Sequence, residues 1–391
     1  MHWASLNWTE LNYLLSTGKI ECEAPDTKDS WDWVVLTGDV WKKHGQAVAD
    51  ATPYLPGSFE RPPRNAAEKI LSGYKAWEWL MYFIGLGPAL LLDILPDKYC
   101  RHCCKGISVI RCFHQRKLPA TQMRQAHLHA LEYVSEFEAL YYQQKEERLH
   151  FVRQSVHVMV HLAPEAIRVG PQPYVAQWTM ERTIGNLGEE IKQHSDPYAN
   201  LSQRGLRRCQ FNMLKALIPG LTGDDTRNPL LPRGCEDLGD GYVLLRARDE
   251  WPTLVVDDAA SAIRKLLNAK SADGDIKLKR WARLRLPNGQ IARSAWKERN
   301  KPLKAVRMAR NVKVTIDGPS EIAEVEFYCR SPQGRALALG SLYPRPDADL
   351  LHKSYNTVWS CTAPRGYVAI WAKNIQSVVA MEPHIYRAEN S

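Results

Sequence analysis

Apolar and polar positions follow two different periods along this chain, and the change of period divides it. Across residues 119–144, apolar or small residues fall at Met123, Ala126, Ala130, Tyr133, Phe137 and Leu140. Steps of three and four describe one face of a helix, and Pro119 lies near the first turn, where its missing N–H costs nothing. The same reasoning predicts helices over 150–162, stopped by Pro164, over 178–193, and over about 202–218, ahead of Pro219-Gly220. The longest apolar stretch runs from Trp79 to Leu92 and is broken by Gly85, Gly87 and Pro88. Fourteen residues fall short of a membrane span, so this stretch reads as a buried core helix with a kink.

Residues 220–240 are crowded with Gly, Pro, Asp and Asn and read as a linker. Beyond them the period drops to two. A strand is expected at 242–245, and Asp257-Asp258 can cap a short helix through Leu267. From Arg280 to Leu286, alternation assigns Ala282, Leu284 and Leu286 to one face and Trp281, Arg283 and Arg285 to a solvent-facing one. Pro287-Asn288-Gly289 then turns the chain into 291–296, a hairpin. Further strands are expected at 312–316, 325–328, 336–342, 357–361, 367–371 and 377–381. The pattern predicts an α+β chain, with a mostly helical N-terminal domain followed by a small antiparallel β barrel or sandwich. Its expected divisions are a Trp/Pro-rich segment (1–65), a helical domain (66–220), a linker (221–240) and a basic β-rich domain (241–391).

Composition adds little until charge is located. A length of 391 residues suits two domains, and 45% hydrophobic with 24% charged residues is ordinary for globular proteins. Nine scattered cysteines, an odd number, argue for a reducing compartment rather than a secreted disulfide framework. The first residues lack a basic region followed by an apolar run, so an intracellular protein with no membrane partner is expected. Net charge is +9, yet residues 277–313 alone hold thirteen Lys/Arg against Glu298, which leaves −3 for the rest. The basic character belongs to one segment.

That segment carries the main candidate chemistry. Lys279, Arg280, Arg283, Arg285, Arg293, Lys297, Arg299 and Lys301 cluster with Trp281 and Trp296. Cations neutralise phosphates and exposed aromatic faces stack on bases, so DNA is the expected partner. The competing reading is a solvated strand face whose arginines pair with acids elsewhere. His157 and His161, at i and i+4, could share a metal, but Val158 stands where a zinc protease needs glutamate. A hydrogen-bonded pair at a helix contact competes with that reading. Cys100, Cys103, Cys112 and His114 could chelate zinc, yet no second Cys-x-x-Cys accompanies them, and a helix with buried thiols is favoured.

The order of several short motifs adds a family resemblance. Ala76-Trp77-Glu78-Trp79-Leu80 is followed by Phe137-Glu138-Ala139-Leu140-Tyr141-Tyr142. Then come Val156-His157-Val158-Met159-Val160-His161-Leu162, Val169-Gly170-Pro171, and Trp178-Thr179-Met180-Glu181-Arg182 running into Gly185-Asn186-Leu187. This series resembles the later part of transposases of the CACTA (En/Spm) type, especially those of fungal genomes. Ser354-Tyr355-Asn356-Thr357 and Val378-Val379-Ala380-Met381 resemble the β domain appended to such proteins. The resemblance implies an RNase H-like core in which two aspartates and a glutamate hold two Mg²⁺ ions for phosphodiester transfer. It assigns Glu181 to the third acid and His157/His161 to a helix of the insertion before it. Asp32 and Asp39 lie between tryptophans rather than on core strands. The expectation is therefore a truncated, catalytically incomplete, nuclear transposase fragment that binds DNA and other transposase subunits, without Mg²⁺ or zinc in place. The alternative is a non-enzymatic chromatin or nucleic-acid adaptor, with Trp281, Trp296, Tyr355 and Trp359 lining a partner groove.

Overall fold

The computed structural model describes residues 2–70, 73–191, 195–218, 221, 231–268, 275–316 and 318–384. Its N-terminal half is helical around one aromatic-rich core. Helix α1 (Asp97–Phe113) buries Tyr99, Cys103, Ile107 and Ile110. It packs on α2 (Ala120–Phe137), whose buried residues Ala126, Ala130, Tyr133 and Phe137 are the face the sequence pattern marks out. The two helices close tightly at Gly106, where a Cβ would lie 2.6 Å from the Trp8 ring and 2.7 Å from the Tyr133 ring. Trp8, Trp31 and Trp33 of the first 65 residues enter this same core, with Trp33 edge-on to Tyr99 and Tyr141.

Two elements differ from the sequence expectation. The apolar stretch after Trp79 widens into a π-type turn at Leu80–Leu86 before returning to α-helix at Gly87–Leu90, so the kink is a change of hydrogen-bond register. No continuous helix covers 150–162. Short turns at Glu146–Phe151, Gln154–His157 and Val158–His161 lead into a helix over Leu162–Val169. Pro164 stands in the first turn of that helix, where no N–H donor is required, and starts it rather than stopping its predecessor.

Polar groups inside this core are few and costly. The Arg148 guanidinium, fully buried, grips Asp26 through 2.5 and 2.7 Å bonds, and Ser30, Gln143 and the Tyr141 carbonyl accept its remaining protons. Arg148 also holds the Asp26 carboxyl well below the usual carboxylate range. His44, bonded to Tyr82 at 2.9 Å, and His102, stacked on Tyr133, are each pushed down to about 4 by burial. An unfolded histidine takes its proton near 6.5, so between pH 6.5 and 4 the unfolded chain binds more protons and the fold loses stability as pH falls. Each histidine should cost about 3 kcal/mol by pH 4. Glu382, lifted to about 7 by burial, opposes them by favouring the fold as pH falls. The midpoint of thermal unfolding should therefore drop across pH 6.5 to 4, and drop further in Glu382→Gln. A midpoint flat across that window would contradict the neutral burial of both histidines.

Helices α3 (Trp178–Glu190) and α4 (Pro197–Leu217) bury none of their residues. Glu190 of α3 pairs with Arg208 of α4, and Trp178 meets Trp77 edge-on at 6.0 Å.

The C-terminal half is β-rich. Its strands are β1 (Glu236–Asp237), β2 (Val243–Leu244), β3 (Thr253–Val255), β4 (Ile276–Leu278), β5 (Arg283–Arg285) and β6 (Ile291–Arg293), then β7 (Asn311–Thr315), β8 (Ser320–Arg330), β9 (Ala336–Leu342), β10 (Arg365–Trp371) and β11 (Ile375–Val378). They form antiparallel sheets in the orders β1-β2-β5-β6, β10-β9-β8-β7-β11 and β3-β4. Leu244, Leu284 and Ala292 of the first sheet share a core with Val312, Val325 and Ile370 of the second. The other face of the five-stranded sheet meets α5 (Asp257–Leu267) through Ile263, Phe327 and Leu339. Both faces are apolar because β9 and β10 carry consecutive apolar residues, Leu337 and Leu339 facing opposite to Ala338, and Ala369 opposite to Ile370, while a bulge between Val325 and Phe327 shifts the alternation midway along β8. Among the described residues no sheet closes into a barrel; the larger one ends in the edge strands β10 and β11. Asp257 and Asp258 lie in the first turn of α5 without capping it, favourable there to the helix dipole.

No strand forms over 357–361. Left-handed backbone at Tyr355 and Asn356 turns this segment toward the helical half instead. There Tyr355 packs against Lys105 and His129, and Arg111 donates to the Thr357 carbonyl at 2.7 Å. Arg307 donates to the carbonyls of Leu55, Pro56 and Glu60, and Met308 N–H donates to Pro53. The two halves thus share hydrogen-bonded contacts. Between them opens an 860 Å³ cavity lined by Tyr54, Met308, Tyr343, Trp359, Met381 and Glu382, among others. Among the described residues no helix is long and apolar enough to cross a membrane.

Candidate nucleic-acid interface

The basic hairpin forms where the sequence places it. Leu286 and Gln290 close the loop, Gly289 takes the left-handed conformation, and the Asn288 side chain accepts from Gln290 N–H. Register sets Arg283 opposite Arg293, Leu284 opposite Ala292, and Arg285 opposite Ile291. Leu284 and Ala292 point into the core, so Arg283, Arg285 and Arg293 share the other face, each half-buried. Like charges directly opposite one another across a strand pair are destabilising. Here no carboxylate among the described residues forms an ion pair with any of the three, and Arg283 Nε is shut from solvent without a partner.

The other basic residues divide differently. Arg280 is held by Asp249 at 2.8 Å and lies over the Trp296 ring, as does Lys297. Arg299 pairs with Glu326 at 2.8 Å. Lys279, Lys297 and Lys301 form no ion pair among the described residues, and Lys297 and Lys301 are exposed. Trp281 corrects the expectation of a solvent-facing ring. It is 4% exposed, because its backbone pairs with Tyr328 of the larger sheet and its ring is covered at that junction. Trp281 is thus part of the scaffold, while Trp296 is half-buried beneath cations.

The candidate groove aromatics are dispersed. Tyr355 seals the junction with the helices, and Trp359 faces the junction cavity.

Glu181 lies on α3 with the His2 ring 3.5 Å away. Asp32 is engaged by Lys98 and Tyr99, and Asp39 by Lys42. Among the described residues no three His, Cys, Asp or Glu side chains gather into a metal-holding group. One carboxylate does not suffice for two Mg²⁺ ions, so the residues present do not fit the metal pair the resemblance implies. His157 and His161 are exposed, their Nε2 atoms 2.9 Å apart, one sharing its proton with the other. Cys100, Cys103 and Cys104 are buried along α1, and the His114 ring bonds the Ile110 carbonyl. Burial raises the Cys103 and Cys112 thiols. Glu78 of the Ala76–Leu80 motif is structural as well: it is buried, it accepts two bonds from Arg64, and it caps the Lys75 N–H.

Sequence reasoning missed a second group of cations, Arg330, Arg335 and Lys373, which meet around Trp371. Arg330 and Arg335 flank the turn between β8 and β9 and Lys373 follows β10, and no local motif marks the three. No family model matches the chain, and no curated protein or solved structure matches it.

Proposed function

We propose that this chain is a DNA-binding protein of transposase kind that engages the phosphate backbone through the hairpin face bearing Arg283, Arg285 and Arg293. The observation that carries the reading is the Arg283/Arg293 pair, neither member of which forms an ion pair among the described residues. Two guanidiniums set opposite one another weaken the fold locally; the Glu298 carboxylate acts on Arg293 without forming an ion pair with it, and a polyanion removes the cost that remains. Arg280 and Arg299, by contrast, already have carboxylate partners and serve the scaffold. A DNA partner implies a nuclear protein.

The transposase part of the reading rests on the ordered motifs and on Glu181, whose helix buries nothing. Phosphodiester transfer would require two further acids beside Glu181. An RNase H-like origin for the helical half belongs to the same proposal. The adaptor reading draws on a different observation, the junction cavity with Trp359 about half exposed at its wall. Photo-crosslinking the full chain to a bromodeoxyuridine-bearing duplex separates the two. Adducts should map to 279–301, and Glu181→Gln should leave their yield unchanged. Adducts confined to the helical half, or lost in Glu181→Gln, would overturn the assignment.

A further inference from the structure

A second site lies at the end of the five-stranded sheet, where residues 331–335 turn β8 into β9. The turn is closed by Ser331 N–H donating to the Arg335 carbonyl at 2.8 Å and Gly334 N–H donating to the Ser331 carbonyl at 2.9 Å. Gly334 has φ +81°, and a Cβ there would lie 3.3 Å from Arg330 Nη2, so both backbone and packing call for glycine. The turn delivers Arg335 onto Trp371, the last residue of β10, with its guanidinium carbon 3.6 Å from the ring centroid. A guanidinium stacked flat on an indole keeps its N–H edge available for a planar or tetrahedral anion.

Two further cations converge on the same cleft. Arg330 is fixed by the Gly334 carbonyl and by Glu236 at 2.9 Å, and Lys373 by Asp240 at 2.7 Å. Arg335 has no acid partner among the described residues. Asn374 completes the polar lining with Asp237, whose carboxylate already accepts Gly239 N–H at 2.9 Å. The cleft encloses 410 Å³, within the range of pockets that hold one small ligand. Glu236 also holds Arg248 at 3.2 Å, and Arg248 lies over the buried Trp281 ring.

We infer that this cleft binds the phosphate of a single nucleotide, with Arg335 as the fork and Arg330 and Lys373 as flanking charges. The inference rests on the nucleic-acid reading and deepens it. A concave pocket of this size admits a terminal phosphate with its nucleoside, whereas the flank of a duplex presents its phosphates on a convex surface. The nucleotide comes either from the end of a strand or from solution.

The test uses the full chain and a single-stranded tetranucleotide carrying a 5′-phosphate, a 3′-phosphate or hydroxyl ends only, with AMP as competitor. One phosphorylated end should bind at least about tenfold tighter than the hydroxyl form, the scale of one added charge-assisted fork. Arg335→Gln should erase the difference, and Arg335→Lys should keep part of it. Arg335 is exposed, so neither change threatens the fold. A phosphorylated-end preference that AMP fails to displace supports strand ends as the source. AMP binding that is lost in Arg335→Gln supports a free nucleotide. No end preference together with no AMP binding overturns the site, and so does a preference that survives Arg335→Gln. Arg283→Glu/Arg285→Glu should abolish duplex binding while sparing the end preference, so failure of either site is read independently of the other.

Discussion

Reversing Arg283 and Arg285 to glutamate together is expected to abolish duplex binding while leaving the fold at least as stable as before. Each reversal replaces attraction to phosphate with repulsion, and the pair removes two of the three cations on the hairpin face. If each of the three arginines neutralises one phosphate, the parent's log–log salt slope is about −3. Stability should move the other way. Glutamate at 283 would face Arg293 directly, turning a repulsive cross-strand pair into an attractive one worth up to about 1 kcal/mol. A lower unfolding midpoint accompanying lost binding would show that the arginines hold the sheet together and that the loss of binding is indirect.

The largest stability effect is expected at Arg148. Its guanidinium is fully buried against an Asp26 carboxylate that is itself almost fully enclosed, with Trp31 donating to the same carboxylate at 2.7 Å. Arg148→Met leaves that carboxylate in the core without its guanidinium, beside Trp31 and a Lys145 ammonium 3.8 Å away, at a cost of about 3 kcal/mol. Asp26→Asn combined with Arg148→Met removes the stranded charge and should recover part of the loss. Urea unfolding followed by tryptophan fluorescence reads both variants, since Trp31 and Trp33 line the pair. A single variant within about 1 kcal/mol of the parent would mean that water enters this site and the clamp does not hold residues 26–33 to 141–148.

Much of the architecture was legible because period and turn chemistry agree locally. The steps along 123–140 mark a helix face whose middle is fully buried, and Pro287-Asn288-Gly289 fixes the hairpin register that sets Arg283 against Arg293. Alternation reports which residues share a face, but not what covers that face. Trp281 shares parity with Arg283 and is nevertheless buried, because the chain there also bridges to Tyr328, 47 positions later. The β8 bulge changes parity within one strand, and nothing in Ser320–Arg330 announces it. Asp26 and Arg148 lie 122 positions apart, and Arg335 meets Trp371 only through the pairing of β9 with β10. Such convergences depend on the tertiary fold, which a single sequence does not display. The motif series behaves similarly: Trp77 and Trp178, from its first and last members, touch, while Glu78 and Glu181 between those contacts have unlike surroundings, one buried and paired, the other outward.

Arg307 and Met308 of the β-rich half donate to carbonyls of the helical half, and Arg111 of the helical half donates to the Thr357 carbonyl, so the decisive experiment keeps the chain whole. It is the affinity of the full chain for duplex DNA across a salt series, for the parent and for Arg283→Glu/Arg285→Glu. The account predicts steep weakening with salt in the parent, a slope of about −3 or steeper, and no measurable binding in the variant. Absence of duplex binding by the parent at low salt, or a variant indistinguishable from it, would contradict the assignment of this face to nucleic acid.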